Sequence, residues 1–218
     1  CRAHLGELPA FLLPQFGINS LWEFPAFMVL GGVCAIIAII FMWSIFYAER
    51  VVDTLPIPNW LKPAAGGLAV GAIAVEFPHV LGVGYETTDA ALQELLPLWL
   101  LMLLIPLKAA ATAISLGCRF GGGIFSPSLC LGAMTGGAFG IIAASVFPHL
   151  AASHGAYAIV GIPALAAATL GAPISTLLIV FELTGAYQIT VAVMIATSIA
   201  TVIFQGIQGR SFFHWQFD

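Results

Sequence analysis

Apolar residues fill this chain in long blocks, and the polar interruptions between the blocks set out its elements. Between Glu23 and Glu49 lie 25 residues without a charge, more than the ~20 a helix needs to cross a hydrocarbon core. Ser20-Leu21-Trp22-Glu23 has the form of a capping box, with Ser20 at the N-cap and Glu23 reaching back, so a transmembrane helix is predicted to start there. Arg50 and Lys62 bound the loop that follows, Trp60 suits an interfacial position, and a shorter Gly/Ala-rich stretch runs from Pro63 to Val75. The polar and acidic residues from Gly82 to Glu94 read as a loop. A second long helix is predicted over Leu95 to Leu116, and a last one over Gln188 to Gln205, after which Arg210 opens a short aromatic tail.

From Phe120 to Phe181 there are 62 consecutive residues with no Asp, Glu, Lys or Arg. Gly121-Gly122-Gly123, Pro127, Pro148, Pro163 and Pro173 are expected to cut this run into pieces too short, in part, to span a bilayer. In hydrocarbon each backbone polar group must be paired within the protein, so broken helices persist only where they are buried or line a polar cavity.

Composition turns the pattern into a class. Hydrophobic residues make up 61% of the chain and charged residues 7%, with a mean hydropathy of +1.05, against ~25% charged residues in an ordinary soluble domain. A multispanning, all-α membrane protein follows, and no basic face for nucleic acid exists. Eight of the ten acids lie at or before Glu94. Arg50, Lys62 and Arg210 fall on one side and the acidic Glu86 to Glu94 stretch on the other, which predicts a cytoplasmic C-terminal tail. Cys1, Cys34, Cys118 and Cys130 sit singly, without metal or redox spacing, and read as packing residues. The first residue is Cys rather than Met, and the chain reads as part of a longer one.

Candidate chemistry concentrates at Gly121-Gly122-Gly123-Ile124-Phe125-Ser126-Pro127-Ser128. Ser126 can cap a following helix, and Pro127 suits its first position, where a missing N–H costs nothing. The glycines would let the backbone approach a ligand and adopt positive φ. The amides of Gly123, Ile124 and Phe125 would then converge with the positive end of the helix dipole on one spot. That arrangement suits an anion that must move, because partial charges bind and still release it; a turn made only for tight packing would use the same residues. Gly132, Gly136 and Gly140 repeat on one face of the next helix, the small-residue pattern of close helix contact. Lys108, in an apolar sequence, is a functional candidate by position or a lysine paired with a carbonyl. Arg119 could raise local anion potential or pair with a helix C-terminus. Gly171-Ala172-Pro173 opens a second short helix, and Glu182 near its end reads as a brace.

Gly122-Gly123-Ile124-Phe125-Ser126-Pro127 resembles the G-G-x-F-x-P element of the ClC chloride channels and chloride/proton antiporters. Leu107-Lys108 with Ala111-Thr112, Gly132-Ala133, Gly171-Ala172-Pro173 and Phe181-Glu182-Leu183-Thr184-Gly185-Ala186-Tyr187-Gln188 follow in the family's order over about residues 15 to 215. The resemblance implies two inverted-topology halves per subunit, with ion sites where broken helices meet near the midplane. Residues 1–218 correspond to the C-terminal half of such a transmembrane domain, with broken and tilted helices. It further implies transport of chloride or a similar anion, by channel or antiporter, with the amides of Ile124 and Phe125 as ligands. No cofactor is implied; the partners are the lipid bilayer, the N-terminal half of the same protein and a second subunit in a homodimer. The family's tail commonly supplies a tyrosine hydroxyl to the ion, whereas Ser211-Phe212-Phe213-His214 places Phe213 there, which cannot donate that bond. The G-S-G-I-P and G-K/R-E-G-P elements are absent from this chain.

Three competing readings use other residues. Val83-Gly84-Tyr85 matches three letters of the potassium filter T-V-G-Y-G, but Gly82 and Glu86 replace its flanks. An intramembrane hydrolase would need Ser126 or Ser128 beside His149 or His154, and no G-x-S-x-G elbow is present. A non-transporting membrane scaffold needs no site at all.

Overall fold

The computed structural model describes residues 23–56, 58–146, 154–184 and 189–209. Ser20, Cys1, His149, the Gly185–Gln188 motif and Phe213 lie outside the described residues. The described chain is helical: α1 (Glu23–Thr54), α2 (Lys62–Glu76), a 3-10 turn (Pro78–Val80), α3 (Tyr85–Leu92), α4 (Leu98–Gly117), α5 (Phe125–Val146), α6 (His154–Leu170), α7 (Pro173–Thr184) and α8 (Thr190–Gln208). Among the described residues, four helices are long and apolar enough to cross a membrane: α1, α4, α5 and α8. α6 and α7 are apolar but shorter. The expected membrane architecture of full and partial spans is therefore present.

Two expectations need correction. The stretch read as a loop contains α3, whose eight residues carry a mixed face that buries Thr87, Thr88, Ala91 and Leu92. Its polar composition hid it, because a helix this short leaves little room for an apolar stripe. Pro163 does not break the chain either: α6 runs through it from His154 to Leu170. A proline removes one helical hydrogen bond, and close packing on neighbouring helices holds the remaining turns in place.

α6 is the centre of the assembly. Residues 155–169 are all buried, as suits a helix that is apolar all round. It lies against α5 with almost no side chain between the backbones. A Cβ built on Gly132 would stand 2.5 Å from the Gly161 carbonyl oxygen, and one on Gly136 would strike the carbonyl of Tyr157. The expected small-residue seam is thus real at Gly132 and Gly136, and its partner is Gly161. Tyr157 fills the space beside the seam, its ring 5.0 Å from Phe27 of α1 and 5.6 Å from Phe139 of α5. One turn further along α1, a Cβ on Gly31 would approach the Ala196 carbonyl of α8 to 2.7 Å.

Several buried hydroxyls are satisfied locally, although that of Thr197 in α8 has no partner among the described residues. Thr135 donates to the Leu131 carbonyl at 2.7 Å, Thr201 to Thr197 at 2.8 Å, and Thr169 to Ala166 at 2.9 Å, the back-bonding that lets threonine sit in an apolar helix. Outward faces stay apolar: Val75 is 86% exposed, Leu68 77%, Ile174 75% and Val202 70%. Such surfaces are suited to lipid or to further protein.

Candidate functional site

The glycine-rich segment connects α4 to α5, and both of its ends are fixed. α4 ends in a paired closure in which Arg119 N–H donates to the Leu116 carbonyl at 3.0 Å and Phe120 N–H to Ser115 at 3.0 Å. This is the Schellman arrangement, with Arg119 in the left-handed position (φ 62) where glycine is usual. The positive φ thus falls on Arg119, while Gly121, Gly122 and Gly123 do not adopt it, contrary to expectation. What these three glycines provide is room, since a Cβ on any of them would meet nothing within 4 Å.

α5 then begins two residues earlier than its serine implied. Ser128 N–H donates to the Ile124 carbonyl at 3.1 Å, which makes Ile124 the N-cap, Phe125 the first helical residue and Pro127 the third. Ser126 is not the cap; its hydroxyl donates outward to the Val83 carbonyl at 2.9 Å. Among the described residues no acceptor pairs with the amides of Gly123, Ile124, Phe125 or Ser126, and Pro127 has none to leave free. A short row of open N–H groups therefore precedes a 22-residue helix, whose dipole places partial positive charge at the same end.

Beside this turn lies a cavity of about 420 Å³. Gly121–Gly123, Ser126 and Pro127 form one wall, and Gly82, Val83, Lys108, Thr112 and Ser115 contribute to the other. Lys108 is only 4% exposed. Its ammonium donates to the Val80 carbonyl at 2.8 Å and to the Gly82 carbonyl at 2.9 Å, so the carbonyl-paired reading of this lysine is the correct one. Thr87 adds a bond from its hydroxyl to the His79 carbonyl at 3.1 Å. Gly84, at φ 91, packs so tightly that a Cβ there would stand 2.7 Å from Cys130 Sγ. The segment from Pro78 to Gly84 is thereby fastened to both α4 and the first turn of α5. Sequence reasoning missed this partner; its only signal was the unexplained lysine.

Arg119 pairs with a side chain rather than with helix carbonyls: its Nη2 lies 3.4 Å from Asp53 Oδ1. Lys62 Nζ reaches the same oxygen at 3.2 Å. One carboxylate at the end of α1 thus ties the start of α2 to the end of α4, just before the glycines.

The competing readings lack their geometry. Val83 and Gly84 form no carbonyl ladder, because the Val83 carbonyl is taken by Ser126 and Tyr85 starts α3. Ser126 and Ser128 both donate to main-chain carbonyls, Ser128 to Phe125 at 2.6 Å. His154 begins α6, beyond the far end of α5, which at ~1.5 Å per residue is too far for proton transfer.

A family model described as "Voltage gated chloride channel" matches residues 1–205. Among curated proteins, chloride channel protein CLC-f of Arabidopsis thaliana is 32% identical over 214 residues, an alignment that takes in 91% of this chain and 27% of that protein. The H(+)/Cl(-) exchange transporter ClcA of Vibrio cholerae is 29% identical over 208 residues, covering 94% of this chain and 44% of the transporter. Among solved structures, a slow cyanobacterial Cl-/H+ antiporter superposes with a TM-score of 0.84 at 24% identity, over 99% of this chain and 51% of that one. The chain spans about half or less of the length of these three relatives.

Proposed function

The chain belongs to the voltage gated chloride channel family, and on that premise we infer that it forms the C-terminal half of an anion-transporting transmembrane domain. Chloride or a similar anion is the transported species, and the first turn of α5 is where this half holds it. The single observation that carries this reading is the unpaired amide row from Gly123 to Ser126 at the mouth of a membrane-embedded helix, with an open cavity alongside. Amides without acceptors inside a protein are costly unless something accepts from them. An anion that exchanges with water meets that need without the trapping that a fully charged ligand would impose.

The remaining ligands come from elsewhere in the reading. The resemblance assigns Phe213 of the tail to this site, where its side chain has no hydroxyl to offer the ion. The complementary half of the protein supplies the other helix ends, and two such subunits assemble as a homodimer in the bilayer, with the tail on the cytoplasmic side. The relatives that the chain matches are named as a chloride channel and as proton/chloride exchangers, which supports transport over enzymatic turnover.

The test is made on the whole protein that contains this segment. Reconstituted in liposomes loaded with chloride, it is expected to release the ion, and crystals grown in bromide are expected to show an anomalous peak beside the amides of Ile124 and Phe125. Absence of both flux and peak would return the protein to the class of membrane scaffolds.

A further inference from the structure

We propose that Lys108 is a positioning residue for the anion site: by holding the Val80 and Gly82 carbonyls it keeps the Pro78–Gly84 segment aligned with the first turn of α5 and its carbonyl dipoles committed away from the ion. The proposal rests on the anion reading of that turn.

Three observations converge on it. The wall of the cavity that faces the glycine loop is built from α4 and from the non-α segment Val80 to Val83, and backbone outside a regular helix exposes carbonyl oxygens. An unbonded carbonyl presents the negative end of its dipole, which would repel an anion bound at the opposite wall. Here three of those oxygens are occupied by donors: Val80 and Gly82 by Lys108 Nζ at 2.8 and 2.9 Å, and Val83 by Ser126 Oγ at 2.9 Å. The second donor is itself a residue of the amide turn, so the segment is stitched to the site on one side and to α4 on the other. Finally, Lys108 is 4% exposed, and burying an ammonium is expensive unless its hydrogen bonds are made. A lysine that served only to attract anions from solution would gain nothing from such burial; one that fixes two carbonyls needs it.

The lysine thus contributes twice. Its charge adds positive potential beside the cavity, and its two bonds define where the backbone lies. Arginine retains both contributions while methionine retains neither and fills a similar volume; Ser126→Ala loosens the same segment without changing its charge, which isolates the backbone contribution.

The experiment compares wild type, Lys108→Arg, Lys108→Met and Ser126→Ala in the full-length protein, with bromide affinity by calorimetry, bromide efflux from liposomes and thermal midpoint measured on each. Lys108→Met is expected to weaken bromide binding about tenfold, and Lys108→Arg to stay within about threefold of wild type, with a thermal midpoint that does not track the affinity. Ser126→Ala is expected to weaken binding by a smaller factor and to speed amide exchange at Leu81 to Gly84. Should Lys108→Met fail to fold, the Ser126→Ala arm decides: faster exchange in that segment with unchanged affinity overturns the proposal. A folded Lys108→Met with wild-type affinity also overturns it while leaving the anion reading intact. Wild-type protein that binds no bromide removes both.

Discussion

Glu94 accepts a hydrogen bond from the backbone N–H of Gly155 through Oε1 at 2.9 Å, joining the end of α3 to the first turn of α6 across a sequence separation of 61. Glu94 itself is in the left-handed region, φ 61. It closes α3 as Arg119 closes α4, with Leu95 N–H on the Ala90 carbonyl at 3.0 Å. Both residues stand where glycine would be least strained, and both send a side chain to another element, Glu94 to α6 and Arg119 to Asp53. The strain is accepted because glycine could close the helix but could not make the second contact.

Substitution at Glu94 separates the two effects. Glu94→Ala loses the cap and is expected to cost about 1 kcal/mol. Glu94→Gly loses the same cap but gains back roughly 1 kcal/mol of left-handed strain, so its thermal midpoint should lie above that of the alanine variant. Equal midpoints in the full-length protein would show that the left-handed backbone carries no cost here.

At the α5–α6 crossing the backbones themselves touch. Gly161→Ala would drive a methyl into the Gly132 carbonyl, and Gly132→Ala would do the reverse at 2.5 Å. Each is expected to cost at least the ~1–3 kcal/mol of overpacking and to reduce the yield of monodisperse protein on size exclusion. Gly121→Ala is the control, with open space around it, and should purify like wild type.

Gly84 combines a positive φ with a neighbour 2.7 Å from where its Cβ would be. Gly84→Ala is therefore expected to destabilise, and Cys130→Ala in the same protein should restore the part due to collision with Sγ but neither the tight 3.0 Å contact with Cβ nor the part due to φ. Full recovery, read as thermal midpoint, would mean that the backbone at 84 relaxes freely.

Much of the architecture was legible because membrane spans are written in runs of apolar residues. The helix from Glu23 and the Gly132/Gly136 seam could be read directly, and the presence of a helix after the glycines, though not its first residue, followed from its turn residues. α3 was missed because eight residues with Thr87, Thr88 and Asp89 carry no clear stripe. Pro163 misled because a single residue type was given more weight than the buried surroundings that hold α6 together. At the site, the segment with open amides was found but its local geometry was not: Ser126 looked like a cap, and only the fold shows that Val83 lies within its reach. Long-range pairs such as Lys108 with Val80 have no local signature, since nothing near position 108 reports what folds back upon it.

Phe213→Tyr tests the tail's place in the proposed site. A hydroxyl there is expected to strengthen chloride binding by the value of one hydrogen bond to a charged group, about 1.5–3 kcal/mol at most, seen as a lower Kd by calorimetry. An unchanged Kd would place Phe213 away from the ion.

α7 is 12 residues long, about 18 Å at the helical rise, against a hydrocarbon core of roughly 30 Å. Such a segment is a poor passenger for one-at-a-time delivery into lipid during synthesis. Its polar ends would be stranded at half depth until neighbouring segments arrive. Biogenesis of this half is thus expected to be collective, with the short helices waiting at the insertion machinery for company, and an error in one span should be felt as loss of several.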